Sequence, residues 1–115
     1  MSMFTRLRAD DENKIAVWHI MMDFTMVLDG EMTFQQLAEA HQLDQAEQAE
    51  AAEYLAAIGA MVTSEAQIRV GVGFPMESAV RDARVSVDAV LRYGLLRCEQ
   101  GKITEAAFRA SLGLQ

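Results

Sequence analysis

Very few residues in this chain can interrupt a helix, and that scarcity limits the folds open to it. Its 115 residues include one proline, Pro75, and seven glycines, the two residue types that helices tolerate least. Strict alternation of apolar and polar residues, the pattern of a half-buried strand, is hard to find anywhere in the sequence. The sequence therefore predicts an all-α fold, a small bundle of two long and two or three short helices.

Caps, glycines and the proline set the expected bounds of these helices. Gly59 is expected to end the third helix, and residues 60–74 are expected to form a loop or a brief extended piece. Gly94 lies inside the fourth helix, where glycine lowers stability unless a neighbour packs closely against it. The predicted helices run from Asp10 or Asp11 to Gly30, from Thr33 to about His41, from Gln45 to about Ile58, from Pro75 to about Glu99 and from Thr104 to about Ser111.

Length and charge restrict the class of protein. The chain is long enough for one globular domain and too short for two, so we expect a single helical domain over residues 1–115 with a possible short N-terminal arm at residues 1–9. A formal net charge of -7 disfavours nucleic acid and anionic membranes as partners. The longest apolar stretch, residues 15–28, is interrupted by polar residues and falls short of the roughly 20 residues that span a bilayer. No secretion signal is recognised, so we expect synthesis in the cytoplasm.

The first predicted helix is apolar on nearly all sides, and such a helix needs cover from several directions. The chain has one other long predicted helix, which covers one side only. We therefore expect part of the first helix, especially Met21, Met22 and Met26, to face another chain, because unbranched methionine fills irregular interfaces well. The alternative is a tightly filled monomeric core. The apolar residues of this helix are Ile15, Val17, Trp18, Ile20, Met21, Met22, Phe24, Met26, Val27 and Leu28.

Charge is unevenly distributed along the chain. Residues 15–68 contain nine acids and no lysine or arginine, whereas residues 69–115 contain seven bases and five acids. The two halves are electrostatically complementary, so they dock within one chain, or the acidic half meets a basic partner or the next subunit. The predicted protein-interface residues are Trp18, Met21, Met22, Phe24 and Met26 on the first helix, Glu47 and Glu50 in the acidic half, and Arg81 and Arg84 in the basic half.

Catalytic and metal-binding patterns are weak. His19 and Asp23 lie four residues apart, with Glu12 seven residues before His19, a loose spacing for a metal ion. A histidine that shares a hydrogen bond with a carboxylate accounts for the pair more simply. Cys98 lies near a helix C-terminus, where the helix dipole opposes a thiolate, so we expect a packed residue. We predict no catalytic, cofactor-binding or metal-binding residue, and a protein that is not an enzyme.

A helix-turn-helix is the second possibility for the segment that begins at Thr33. Its recognition helix, Gln45 to Tyr54, would carry Glu47, Glu50 and Glu53 without a single base, and DNA phosphates would repel it. A helix-turn-helix regulator, or its antagonist, is therefore the second hypothesis, behind a structural protein that works in an assembly. A small accessory subunit with a metal site at His19 and Asp23 is the third.

One internal pattern occurs twice at an offset of 71 residues. Glycine ends one helix and threonine caps the next in both copies. A genuine duplication and the reuse of one good helix-ending device both account for the pattern. The first copy is Gly30-Glu31-Met32-Thr33 followed by Leu37, Ala40 and Leu43, and the second is Gly101-Lys102-Ile103-Thr104 followed by Phe108, Ser111 and Leu114.

Each unit consists of Gly-x-apolar-Thr followed by a short helix, a leucine and an Ala/Glu/Gln helix. The units cover about a third of the chain, from Gly30 to Leu55 and in part from Gly101 to Leu114. They resemble helical pieces of small bacteriophage virion proteins encoded near tail and tail-fibre genes. The resemblance implies a structural subunit of the phage tail or of a fibre attachment region. Its partners would be its own copies or other virion proteins, and its location the virion.

Overall fold

The computed structural model describes Met3, Thr5, Arg6 and residues 15–114, with side chains described from His19 onward in the long range. Met3, Thr5 and Arg6 are helical, and no strand occurs in the described part of the chain. The predicted all-α class, with two long helices and several short ones, is confirmed. The helices of the long range are α1 (Ile15–Leu28), α2 (Phe34–Ala40), α3 (Gln45–Gly71), α4 (Met76–Glu99) and α5 (Glu105–Ser111).

The third helix differs most from its predicted bounds. It does not end at Gly59 but continues for 27 residues, so the loop expected over residues 60–71 is wrong. One interior glycine costs a helix only about 1 kcal/mol relative to alanine, and the alanines around Gly59 are the strongest helix formers. The helix ends instead before Gly73, which has a positive φ of 105°, and Pro75 starts the next helix as its N-cap.

The two long helices are therefore α3 and α4. The predicted first long helix is described from Ile15, and its expected start at Asp10 or Asp11 lies outside the described residues. Its predicted stop is confirmed, because α1 ends at Leu28 and Gly30 adopts a positive φ of 78°. Such a left-handed residue is what a helix end with a glycine requires.

The chain divides into two compact units, Met1–Leu55 and Ala56–Gln115. The first unit contains α1, α2 and the first part of α3. Its buried side chains include Ile20, Leu37, Phe24 and Tyr54. The rings of Phe24 and Tyr54 stack with their centroids 5.8 Å apart, so α1 and α3 share an aromatic contact inside this unit.

The second unit contains the remainder of α3 together with α4 and α5. One face of α4 is buried at four-residue steps, through Ala83, Val87, Leu91 and Leu95. A Cβ atom built on Gly94 would lie 2.7 Å from two ring carbons of Phe108 in α5. The close neighbour that an interior glycine demands is therefore present.

The sequence repeat is also a repeat of backbone geometry. Thr33 and Thr104 are both extended N-caps whose hydroxyl groups accept a backbone N–H three residues later, at 3.1 and 3.0 Å. Both short helices have seven residues. A hydrogen bond closes the glycine turn in each copy, from the residue after the glycine to Met26 at 3.0 Å in one and to Arg97 at 2.9 Å in the other.

The ends of the two short helices match as well. Gln42 and Gly113 both have positive φ, 53° and 83°, and the N–H group of the leucine that follows donates five residues back over 2.9 Å in each copy. We call this arrangement the repeated module. It covers residues 15–43 in the first unit and residues 86–114 in the second.

Candidate functional site

Two of the predicted interface residues on α1 lie in the interior. Met21 is 4% exposed and Phe24 is fully buried, so their assignment to a surface facing another chain is wrong for this chain. The ring of Tyr54 in α3 stacks on Phe24 and supplies part of the cover that the first helix needs. The side chain of Trp18 lies outside the described residues.

Met22 and Met26 remain accessible. Met22 is 47% exposed and Met26 is half-buried. Both line an open groove of about 340 Å³ that α1 forms with the end of α2. We call it the α1–α2 groove, and its lining residues are His19, Met22, Asp23, Met26, Ala40 and His41.

Asp23 forms a hydrogen bond with a histidine, but the partner is His41 and not His19, which the sequence suggested. The Nε2 atom of His41 lies 2.6 Å from Oδ2 of Asp23, whereas His19 is exposed and Glu12 lies outside the described residues. The turn after α1 folds α2 back along it, and this brings residue 41 to residue 23. Helical spacing within α1 does not reveal a pair between two helices. The glycine turn of the repeat is the signal that α2 packs against α1.

Glu47 and Glu50 also have partners within their own unit. Glu47 is 6% exposed and forms an ion pair with the guanidinium group of Arg6. Arg6 also donates from Nη2 to the carbonyl oxygen of His41 at 3.2 Å. Both carboxylate oxygens of Glu50 accept the backbone N–H of Met3 at 3.1 Å. These acids therefore hold the start of the chain. Glu47 is enclosed within its own unit, whereas a contact of the half-buried Glu50 to another chain stays a prediction.

The arginines predicted for the interface have different environments. Arg81 is largely exposed and lies 3.6 Å from Asp82, while Arg84 is half-buried. Arg92 pairs with Asp88 at 2.9 Å, four residues away on the same helix. Surface pairs of this kind contribute little to stability, so Arg81 and Arg92 are available to a partner's charges.

The second unit exposes a set of large apolar side chains that the sequence analysis did not single out. Three of them, Val85, Tyr93 and Leu96, lie on one face of α4 and are 67%, 60% and 42% exposed. We call them the α4 stripe. Others surround the turn between α3 and α4, and these are Ile68, Val72, Phe74 and Met76. Large apolar patches on soluble proteins mark interaction sites.

Other chemistry is sparse among the described residues. They contain no group of three histidine, cysteine or acidic side chains arranged around one point. Cys98 is buried, as expected for a packed residue, with its Sγ atom 3.8 Å from the carbonyl oxygen of Thr104. Within the same part of the chain no helix combines the length and the apolar character that crossing a bilayer requires.

Comparison of the chain with protein-family models, with curated proteins and with solved structures gave no match. The features that bear on function are the α4 stripe, the α1–α2 groove and the distribution of charge.

Proposed function

We propose that the protein is a structural subunit that associates with further copies of itself in a multi-protein assembly. The observation that carries this proposal is the α4 stripe. Val85, Tyr93 and Leu96 fall within roughly 80° of the helix circumference, since successive residues are about 100° apart. Burying a fully exposed apolar side chain contributes about 1.5–3 kcal/mol, and these three side chains, which are 42–67% exposed, can each add a part of that amount to a complex.

The charge of the two units favours a second copy as the partner. The first unit contains eleven acids and three bases, and the second contains six acids and seven bases. Arg81 and Arg92 lie beside the α4 stripe on the same helix. The second unit of one molecule therefore offers arginines beside an apolar surface, and the first unit of the next offers acids. Charges arranged in this way set orientation and encounter rate.

The resemblance of the two capped units extends the proposal to the assembly itself, a bacteriophage virion in its tail or fibre attachment region. Mass spectrometry of purified particles tests this part. Recovery of the chain in stoichiometric amount with tail proteins would support it, and its absence from intact particles would contradict it.

Substitution of the α4 stripe tests self-association. We expect the protein to have a concentration-dependent mass above 12.7 kDa in size-exclusion chromatography with light scattering. The double variant Val85→Asp/Leu96→Asp should be monomeric, because two unpaired carboxylates would otherwise be buried. Ala106→Asp, which adds a charge at an exposed position in the first turn of α5, is the control and should associate normally. A wild-type protein that stays monomeric, or a double variant that still associates, would contradict the proposal.

The backbone of α2 and α3, which a short turn joins, suits the regulator hypothesis, but the charge of α3 is unfavourable for binding DNA. The described part of α3 carries its first base at Arg69, far from the expected recognition surface. Duplex DNA at low salt in the same light-scattering experiment separates the two hypotheses. Salt-sensitive binding to DNA by the monomer would favour the regulator.

A further inference from the structure

The α1–α2 groove gathers the side chains that bind soft metal ions. Residues 19, 22, 23 and 26 follow the three- and four-residue steps that place side chains on one helix face, and the end of α2 adds a second imidazole. The groove thus holds two imidazole rings and two thioether sulfurs around one open volume of about 340 Å³. Imidazoles and thioethers together suit copper(I) and related soft ions.

The repeated module provides an internal comparison. The second copy, at the offset of 71 residues, has none of the groove's polar or sulfur-bearing side chains. Its residues at the positions of His19, Met22, Asp23, Met26 and His41 are valine, tyrosine, glycine, arginine and leucine, in that order. There the ring of Phe108 packs against Gly94. The same backbone is therefore built without the aspartate–histidine pair, and these polar and sulfur-bearing side chains are not a requirement of the module.

The bond between Asp23 and His41 prepares one ring nitrogen for a ligand. Because a carboxylate only accepts hydrogen bonds, it holds the proton on Nε2 of His41, 2.6 Å away. With Nε2 engaged in this way, Nδ1 is the ring nitrogen left to bind a metal ion. A histidine that binds metal through one nitrogen nearly always donates its other N–H to a carboxylate, a carbonyl group or water.

We propose that the α1–α2 groove binds copper(I) through His19, Met22, Met26 and His41, with Asp23 as a positioning residue for His41. The two exposed side chains, His19 and Met22, have the freedom to close over the ion. Hard divalent ions are a poorer fit, because thioethers are weak ligands for them.

Silver(I), which is soft and does not change oxidation state, is the first probe, and copper(I) under a reducing atmosphere is the second. The titrations use the full chain in chloride-free buffer with Cys98→Ala, since a thiolate would compete for either ion. We expect one equivalent of silver(I) to bind and to raise the Tm, as any ligand specific to the folded state does. X-ray absorption of the copper(I) complex should show both sulfur and nitrogen neighbours. Failure of both ions to bind stoichiometrically would overturn the proposal.

Variants assign the binding to the groove. Met22→Leu/Met26→Leu keeps the apolar volume and should abolish stoichiometric binding, whereas Met76→Leu, at an exposed methionine of the second unit, should not change it. Asp23→Asn should weaken affinity by roughly 10- to 100-fold, the usual effect of removing the partner of a ligating histidine. Circular dichroism of each variant checks that the helices are retained. Unchanged affinity in the folded double methionine variant would refute the site.

Discussion

Gly94 shows how one missing side chain can decide a contact between two helices. Glycine in a helix interior normally lowers stability, yet here it lets the Phe108 ring approach the α4 backbone more closely than any Cβ would permit. A glycine inside a helical pattern predicts that a neighbour packs closely at this position. It does not identify Phe108, because that assignment requires the fold of α5 back along α4.

The first prediction concerns this contact. Gly94→Ala should lower the free energy of unfolding by roughly 1–3 kcal/mol, the range for overpacking, although alanine is otherwise the better helix former. Chemical denaturation measures it. Adding Phe108→Leu should recover part of the loss, since leucine occupies the matching position of the first copy, Leu37. Gly71→Ala is the control, because nothing lies within 4 Å of its added carbon, and it should be neutral or stabilising. A stabilising Gly94→Ala would contradict the contact.

At the scale of helices, termini were more predictable than interiors. The threonine caps and the glycine turns are local features with strong preferences, so the sequence located the starts of α2 and α5 and the ends of α1 and α4. The end of α3 was misplaced because Gly59 imposes only a small penalty, which a run of alanines and tertiary packing outweigh. Local signals of that size cannot decide a helix end by themselves.

The two caps should be worth similar amounts. Thr33→Ala and Thr104→Ala should each lower the free energy of unfolding by about 1 kcal/mol, since each removes the hydroxyl acceptor of a backbone N–H group that has no partner inside its helix. Thr63→Ala is the matched control, because the Thr63 hydroxyl lies inside α3, where it donates to the Gly59 carbonyl oxygen, and caps nothing. Loss of stability as large in the control as in the cap variants would show that the threonine hydroxyls do not act as caps.

For the molecule as a whole, the sequence shows the uneven distribution of charge but does not show which acids pair within the chain. Glu47 and Glu50 were expected to contact another chain, and the structure assigns them to Arg6 and Met3 of their own chain. Such pairings span more than forty residues and depend on tertiary structure. Of the methionines expected to face another chain, Met22 is exposed whereas Met21 is buried.

Salt should weaken the proposed self-association. The Debye length falls from about 10 Å at 0.1 M salt to about 3 Å at 1 M, so attraction between the acidic first unit and the arginines of the second is screened. Sedimentation equilibrium at both concentrations measures the effect, and the dissociation constant should rise with salt. Tighter association at 1 M would indicate an interface without complementary charge.

The anchoring of the chain's start to α3 also governs the order of events during synthesis. Met3 and Arg6 emerge from the ribosome before their carboxylate partners, which lie 47 and 41 residues later. The Phe24 ring likewise waits for Tyr54. Everything that closes the first unit is present once Leu55 has left the exit tunnel, so this half can be completed while the ribosome is still translating the other.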